Sequence, residues 1–157
     1  MRGKNIARYG VSLVLSLCLL SGCASKEQLT KSPGIGDQGD RWKYIGSTGK
    51  KGGNYWFIDT QTISYLTKDV VRVWVKATLD EEGRLLFQHT IKSPKNLRYV
   101  FTLLDIDCLK CAHKTLKMTF YRTDGVLIDS SDFPLDRPWL PIEPGSMFMI
   151  LYREICP

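Results

Sequence analysis

Residues 70–79, VVRVWVKATL, decide the fold of this chain. Aliphatic side chains occupy every second position from 71 to 79, with arginine, tryptophan, lysine and threonine between them. This period-two alternation, rich in β-branched residues, is typical of a strand in a sheet with one buried and one wetter face. We expect Trp74, which lies on the wetter face, to pack beneath a helix or a loop.

Other segments extend this strand into a sheet. Alternating or aromatic-rich residues predict further strands at 42–46, 54–59, 98–108, 115–121 and 126–128. Near the C-terminus, Met147, Ile150 and Leu151 recur at helical spacing after Ser146, a candidate helix N-cap. Strands first and a helix last predict an α+β fold, an antiparallel sheet of about six strands with a short C-terminal helix packed on it.

The N-terminus has the layout of an exported protein. Basic residues precede a run of ten apolar or small residues, 11–20, and Ser-Gly-Cys follows at 21–23. A bilayer core of ~30 Å needs about 20 helical residues, so this run is too short to span it. We therefore predict that residues 1–22 are a signal peptide. Leu-Ser-Gly-Cys resembles the lipobox of bacterial lipoproteins, in which the cysteine is acylated, and this resemblance implies a lipid on Cys23.

The lipobox resemblance divides the remaining chain into two parts. Residues 23–40 are poor in apolar side chains and cannot bury enough surface to offset the entropy of ordering them, so we predict a lipidated flexible tether. Residues 41–157 form the predicted domain. Ala24 stands where lipoproteins retained in the inner membrane commonly carry Asp. This favours an outer-membrane location, on either the periplasmic or the cell-surface face.

The net charge argues against nucleic acid as a partner. The whole chain has a formal net charge of +6. Residues 1–22 contain three basic residues and no acidic residue, so the net charge without them falls to +3. The basic composition is therefore partly a property of the signal peptide, and only a mild attraction to anionic surfaces remains.

Three cysteines remain in the domain once Cys18 leaves with the signal peptide and Cys23 is acylated. We predict a disulfide between Cys108 and Cys156, which would be worth about 4 kcal/mol because it closes a long loop. Cys111 is then free or joins a second copy of the chain as a homodimer. Two alternatives stay open: a Cys108/Cys111 redox pair, or a zinc half-site that these cysteines form with the neighbouring His113.

The sequence predicts no catalytic constellation, no metal and no cofactor, so we expect a protein that is not an enzyme. Asp105 and Asp107 could share a proton, although a solvated sheet face is the more common explanation for such a pair. The basic residues Lys92, Lys95 and Arg98 precede Tyr99 and Phe101. Because cations beside aromatic rings suit contacts with proteins or glycans, these three are the predicted partner-binding residues.

The domain resembles the surface-adhesin protein E family of bacterial lipoproteins. The resemblance rests on six blocks in order, WKYI (42–45), YWFID (55–59), VRVWVK (71–76), DIDC (105–108), YRTDGVL (121–127) and WLPIEPGS (139–146), ending at Cys156. It implies an antiparallel sheet with a C-terminal helix, a cysteine pair at Cys108 and Cys156, and an outer-membrane lipoprotein. It further implies binding to host proteins such as vitronectin, laminin or plasminogen. Cys111 departs from the usual pattern.

Together these observations predict an outer-membrane lipoprotein with a non-enzymatic binding domain, an adhesin for host matrix or serum proteins. Two alternatives are a structural envelope lipoprotein facing the periplasm and, less favoured, a thiol redox protein that uses Cys108 and Cys111.

Overall fold

The computed structural model describes residues 39–49, 53–87, 89, 91 and 95–157. The predicted signal peptide, Cys23, most of the tether and Lys92 lie outside the described residues. The described chain forms eight strands and two helices: β1 Trp42–Thr48, β2 Asn54–Asp59, β3 Ser64–Tyr65, β4 Val70–Thr78, α1 Glu81–Leu85, β5 Leu97–Asp107, β6 Ala112–Arg122, β7 Leu127–Asp132, β8 Leu140–Pro141 and α2 Met147–Ile155. No helix among these residues is long and apolar enough to cross a membrane.

The strands form one antiparallel sheet in the order β1-β2-β4-β5-β6-β7, with the two-residue strands β3 and β8 beside β4 and β6. The predicted fold class is confirmed, because a six-strand path carries a short C-terminal helix that contacts β1. Strand β4 matches the segment that predicted it. The hairpin of β5 and β6 is more regular than expected, since eleven-residue strands flank the four-residue turn 108–111.

One face of the sheet, which we call the helix face, is covered by α2. Its buried core joins the aliphatic positions of β4 to Leu104 and Ile106 of β5 and to Leu151 and Ile155 of α2. Helix α2 begins at Ser146, whose Oγ accepts a 3.2 Å hydrogen bond from the Met149 amide, as expected for an N-cap.

The other face, which we call the aromatic face, has a buried core that no helix of the described chain covers. Trp74 is fully buried against Phe101, Leu103 and Leu116. The half-buried rings that pack against this cluster, Trp42, Tyr99 and Tyr121, come from strands β1, β5 and β6. The Trp42 and Phe101 ring centroids are 5.4 Å apart although two strands separate β1 from β5, which shows how strongly the sheet curls.

Two aspartates on the aromatic face are buried with hydrogen-bond partners. Asp105 accepts two hydrogen bonds from Arg72, at 2.7 and 2.9 Å, and this pairing raises the pKa of Arg72. Asp107 accepts from the amides of Leu109 and Lys110, at 3.1 and 2.9 Å. The solvated face expected for the two aspartates is therefore wrong: both are buried, and each has partners of its own.

Candidate functional site

The antiparallel strands give the sheet two ends with different turns. We call the end that carries residues 66–69 and 108–111 the disulfide end, because it holds Cys108 and Cys156. The opposite end, where β4 and β6 finish and β5 and β7 begin, we call the groove end. Three adjoining depressions there share lining residues, and the largest holds about 410 Å³. Their charged lining residues are Asp80, Glu81, Arg84, Lys95, Arg98, Arg122 and Asp124.

The start of β5 sets the middle of the groove. Two hydrogen bonds join Arg98 to Leu79. The Leu79 amide donates to the Arg98 carbonyl at 2.9 Å, and Nη1 of the Arg98 side chain donates to the Leu79 carbonyl at 2.6 Å. Asn96 has a φ of 68°, a left-handed conformation that asparagine tolerates better than most residues. Its carbonyl accepts from the Thr123 amide at 3.2 Å, so the turn before β5 is fastened to the turn after β6.

Helix α1 forms one wall of the groove. Asp80 caps it by accepting from the Gly83 amide at 2.8 Å, and Asn54 Oδ1 accepts from the Asp80 amide at 3.2 Å. Position 83 must be glycine, because a Cβ there would lie 2.0 Å from Asn54 Oδ1. The capped turn directs Arg84 into the groove, where its Nη2 is 3.1 Å from Glu81.

The far wall carries a second ion pair at the turn between β6 and β7. Arg122 donates to both carboxylate oxygens of Asp124, which lowers the pKa of Asp124 and raises that of Arg122. Both groups are exposed, so this pair orders the turn more than it stabilises the fold. Lys95 lines the neighbouring depression, and among the described residues its amine has no carboxylate partner.

The predicted partner-binding residues fall at this groove in part. Lys95 and Arg98 line neighbouring depressions, and Lys92 lies outside the described residues. Their supposed aromatic neighbours point away from the groove, since Tyr99 and Phe101 pack on the aromatic face. The apolar side chains at this end are aliphatic and exposed instead: Leu85, Leu86, Val126 and Leu127. Sequence reasoning missed these residues, together with Arg84 and Arg122.

The structure contains the disulfide that the sequence predicts. A disulfide joins Cys108 to Cys156, with a Cα–Cα distance of 5.6 Å, and Cys111 is a half-buried free thiol. Cys108 is therefore not paired with Cys111, as a redox CxxC motif would require. Among the described residues, no group of three or more His, Cys, Asp or Glu side chains is placed to hold a metal ion.

His113, which the zinc alternative invoked, has a packing role. Its ring stacks on Phe148 of α2 with centroids 3.7 Å apart, and burial lowers its pKa. Its Nδ1 atom is buried and has no hydrogen-bond partner among the described residues.

A comparison with family models identifies one family. Residues 42–157 match the family model described as Surface-adhesin protein E. A solved structure of Haemophilus influenzae protein E is 16% identical, covers 80% of this chain and 89% of its own, and has a TM-score of 0.48. A crystal structure of protein E from non-typeable Haemophilus influenzae is 14% identical, covers 80% and 82%, and has a TM-score of 0.45. A comparison with curated proteins finds no match for this chain.

Proposed function

The chain belongs to the surface-adhesin protein E family, and on that premise we propose that it is an outer-membrane lipoprotein whose groove end binds host matrix or serum proteins. The domain acts by binding and not by catalysis.

The N-terminal sequence supports the anchoring part of this proposal. Cys23 follows an apolar run that is too short to span a bilayer, and two acyl chains are enough for stable membrane attachment. Replacing Cys23 with alanine should abolish incorporation of a radioactive fatty acid. Labelling that persists in the Cys23→Ala protein would show that the chain is not acylated at this cysteine.

The composition of the groove end supports the binding part. Protein interfaces commonly combine an apolar centre with a polar rim and are enriched in arginine. The groove offers exposed aliphatic side chains, three arginines and the exposed Lys95 within one end of the sheet. This clustering of apolar surface with cations is the observation that carries the proposal.

Binding of the purified protein to immobilised vitronectin, laminin and plasminogen tests the proposal. We expect Lys95→Glu to weaken binding to at least one of them several-fold, because the change replaces an exposed cation of the groove with a negative charge. The matched control is Lys110→Glu, which makes the same change at an exposed lysine of the disulfide end and should leave binding intact.

Two results would contradict the proposal. Equal loss of binding in the Lys95→Glu and Lys110→Glu proteins would show that the groove is not the binding surface. Capture of envelope proteins in place of all three host proteins would favour the structural envelope alternative.

A further inference from the structure

We propose that the disulfide end of the domain rests on an anionic phospholipid surface. This inference extends the proposed function, because it rests on a lipid-anchored chain and adds a second lipid contact that fixes how the domain stands on the membrane.

Two adjacent turns carry exposed apolar side chains at this end. The turn 66–69 touches the turn 108–111 through a 2.8 Å hydrogen bond from the Cys108 amide to the Asp69 carbonyl. Leu109 is 76% exposed and Tyr65 is 68% exposed, and Leu66 is also exposed beside them. Leucines at turn tips, with a tyrosine nearby, match the residues with which interfacial proteins enter the boundary between headgroups and acyl chains.

The turn that presents Leu109 is held rigidly. Asp107 accepts from the amides of Leu109 and Lys110, and the Tyr152 hydroxyl donates to the Cys108 carbonyl at 2.9 Å. The disulfide to Cys156 ties the same turn to the end of α2. Little conformational entropy is therefore lost when this turn inserts into a lipid surface. Such insertion would also explain why Leu109 is exposed and does not pack in the domain core.

Two lysines flank the apolar tips. The side chains of Lys68 and Lys110 are 89% and 68% exposed. Each amine lies near a less exposed carboxylate. Lys110 Nζ is 3.5 Å from Asp107, which is buried, and Lys68 Nζ is 3.8 Å from Asp69, whose side chain is 36% exposed. The amines are therefore more exposed than the carboxylates beside them, and exposed cations are attracted to anionic headgroups.

The direction of β1 bears on how the domain stands on the membrane. Strand β1 runs in the direction from the disulfide end to the groove end, and the Arg41 carbonyl accepts from the Thr60 amide at 2.9 Å, beyond the last residue of β2. Residues 39–41 thus lead into the domain from the side of the exposed turns. A domain resting on these turns presents its groove end away from the membrane, where a partner can reach it.

Vesicle binding tests the contact without any contribution from an acyl chain. The test protein comprises residues 23–157 with Cys23→Ala, which retains every described strand and helix, both sheet faces and the disulfide. We expect it to bind vesicles of phosphatidylglycerol and phosphatidylethanolamine and to bind phosphatidylcholine vesicles more weakly. Lys110→Glu should reduce binding to the anionic vesicles at least about fivefold, since each lysine near such a surface contributes about a factor of five and the glutamate adds repulsion. Leu109→Ser should reduce it about tenfold through lost apolar contact.

The groove end supplies a matched control for each variant. Lys95→Glu reverses the charge of a lysine there, and Leu86→Ser removes a leucine that is 74% exposed. Neither should change vesicle binding. The proposal is overturned if the test protein does not bind anionic vesicles, or if the control variants weaken binding as much as the test variants do. Failure of the partner-binding proposal gives a different result, because there Lys95→Glu is the test variant and Lys110→Glu the control.

Discussion

The buried side chains of the two sheet faces are covered by different kinds of structure. The helix face is aliphatic, and a helix and a disulfide close it from outside. The aromatic face has no helix over it in the described chain and buries Trp74 and Phe101 beneath half-buried rings and paired charges. A covered face can therefore be built from small aliphatic side chains, whereas an uncovered face needs long amphipathic ones whose apolar parts cover the core and whose polar ends reach partners.

Loss of the disulfide should have the largest effect, because it is the covalent element of the helix face. Replacing both Cys108 and Cys156 with serine should lower the free energy of unfolding by about 4 kcal/mol, the value for closing a loop of this length. Urea denaturation measures the change, and Cys111→Ser is the control, expected to stay within about 0.5 kcal/mol. A non-reducing peptide map that links Cys108 to Cys111 would refute the pairing and support the redox alternative.

The buried ion pair should dominate the aromatic face. Asp105→Asn leaves Arg72 charged, with a side chain only 19% exposed and no carboxylate at its fork, so stability should fall by about 3 kcal/mol. The control is Asp132→Asn, since Asp132 pairs with Lys117 but is 74% exposed, and it should cost less than about 1 kcal/mol. If the two variants lose the same free energy of unfolding, burial does not increase the contribution of the Arg72–Asp105 pair to stability.

The sequence predicts which side chains share a face but not what the second face can bury. The alternation in β4 correctly assigned Val71, Val73 and Val75 to the core. It also led us to treat aspartates two apart in β5 as solvated, because polar residues in an alternating strand usually face water. The register places Arg72 directly opposite Asp105, and that pairing, which a single sequence does not reveal, makes burial tolerable.

The candidate groove was predictable only where its residues are close in sequence. Lys95 and Arg98 formed a visible basic stretch, but Arg84 and Arg122 reach the groove from α1 and from the end of β6. Asp80 followed by Gly83 was a usable sign of the capped turn that positions Arg84. No comparable local pattern marks Arg122, which joins the site because β6 ends beside the start of β5.

The two faces should also respond to pH at opposite ends of the scale. Burial lowers the pKa of His113 on the helix face and of Lys76 on the aromatic face. In both cases the unfolded chain binds more protons, so stability rises with pH up to the ordinary pKa, about 6.5 for histidine and about 10.4 for lysine. His113→Phe, which keeps a ring against Phe148, should flatten the acid part of the stability profile and leave the alkaline part unchanged. An unaltered acid slope would assign that slope to other groups.

Removing the charge of Lys76 should have the smallest effect. Its Nζ lies 4.7 Å from the ring centroids of both Trp42 and Phe57, an attractive arrangement for a cation. Burial lowers the pKa of Lys76, because removal from water disfavours the ammonium. Lys76→Met keeps the apolar stem and should change stability at pH 7 by less than about 1 kcal/mol. Lys76→Ala also removes the stem and should cost about 2 kcal/mol by urea denaturation. If the methionine variant loses as much as the alanine variant, the ammonium and not the stem holds the aromatic face together.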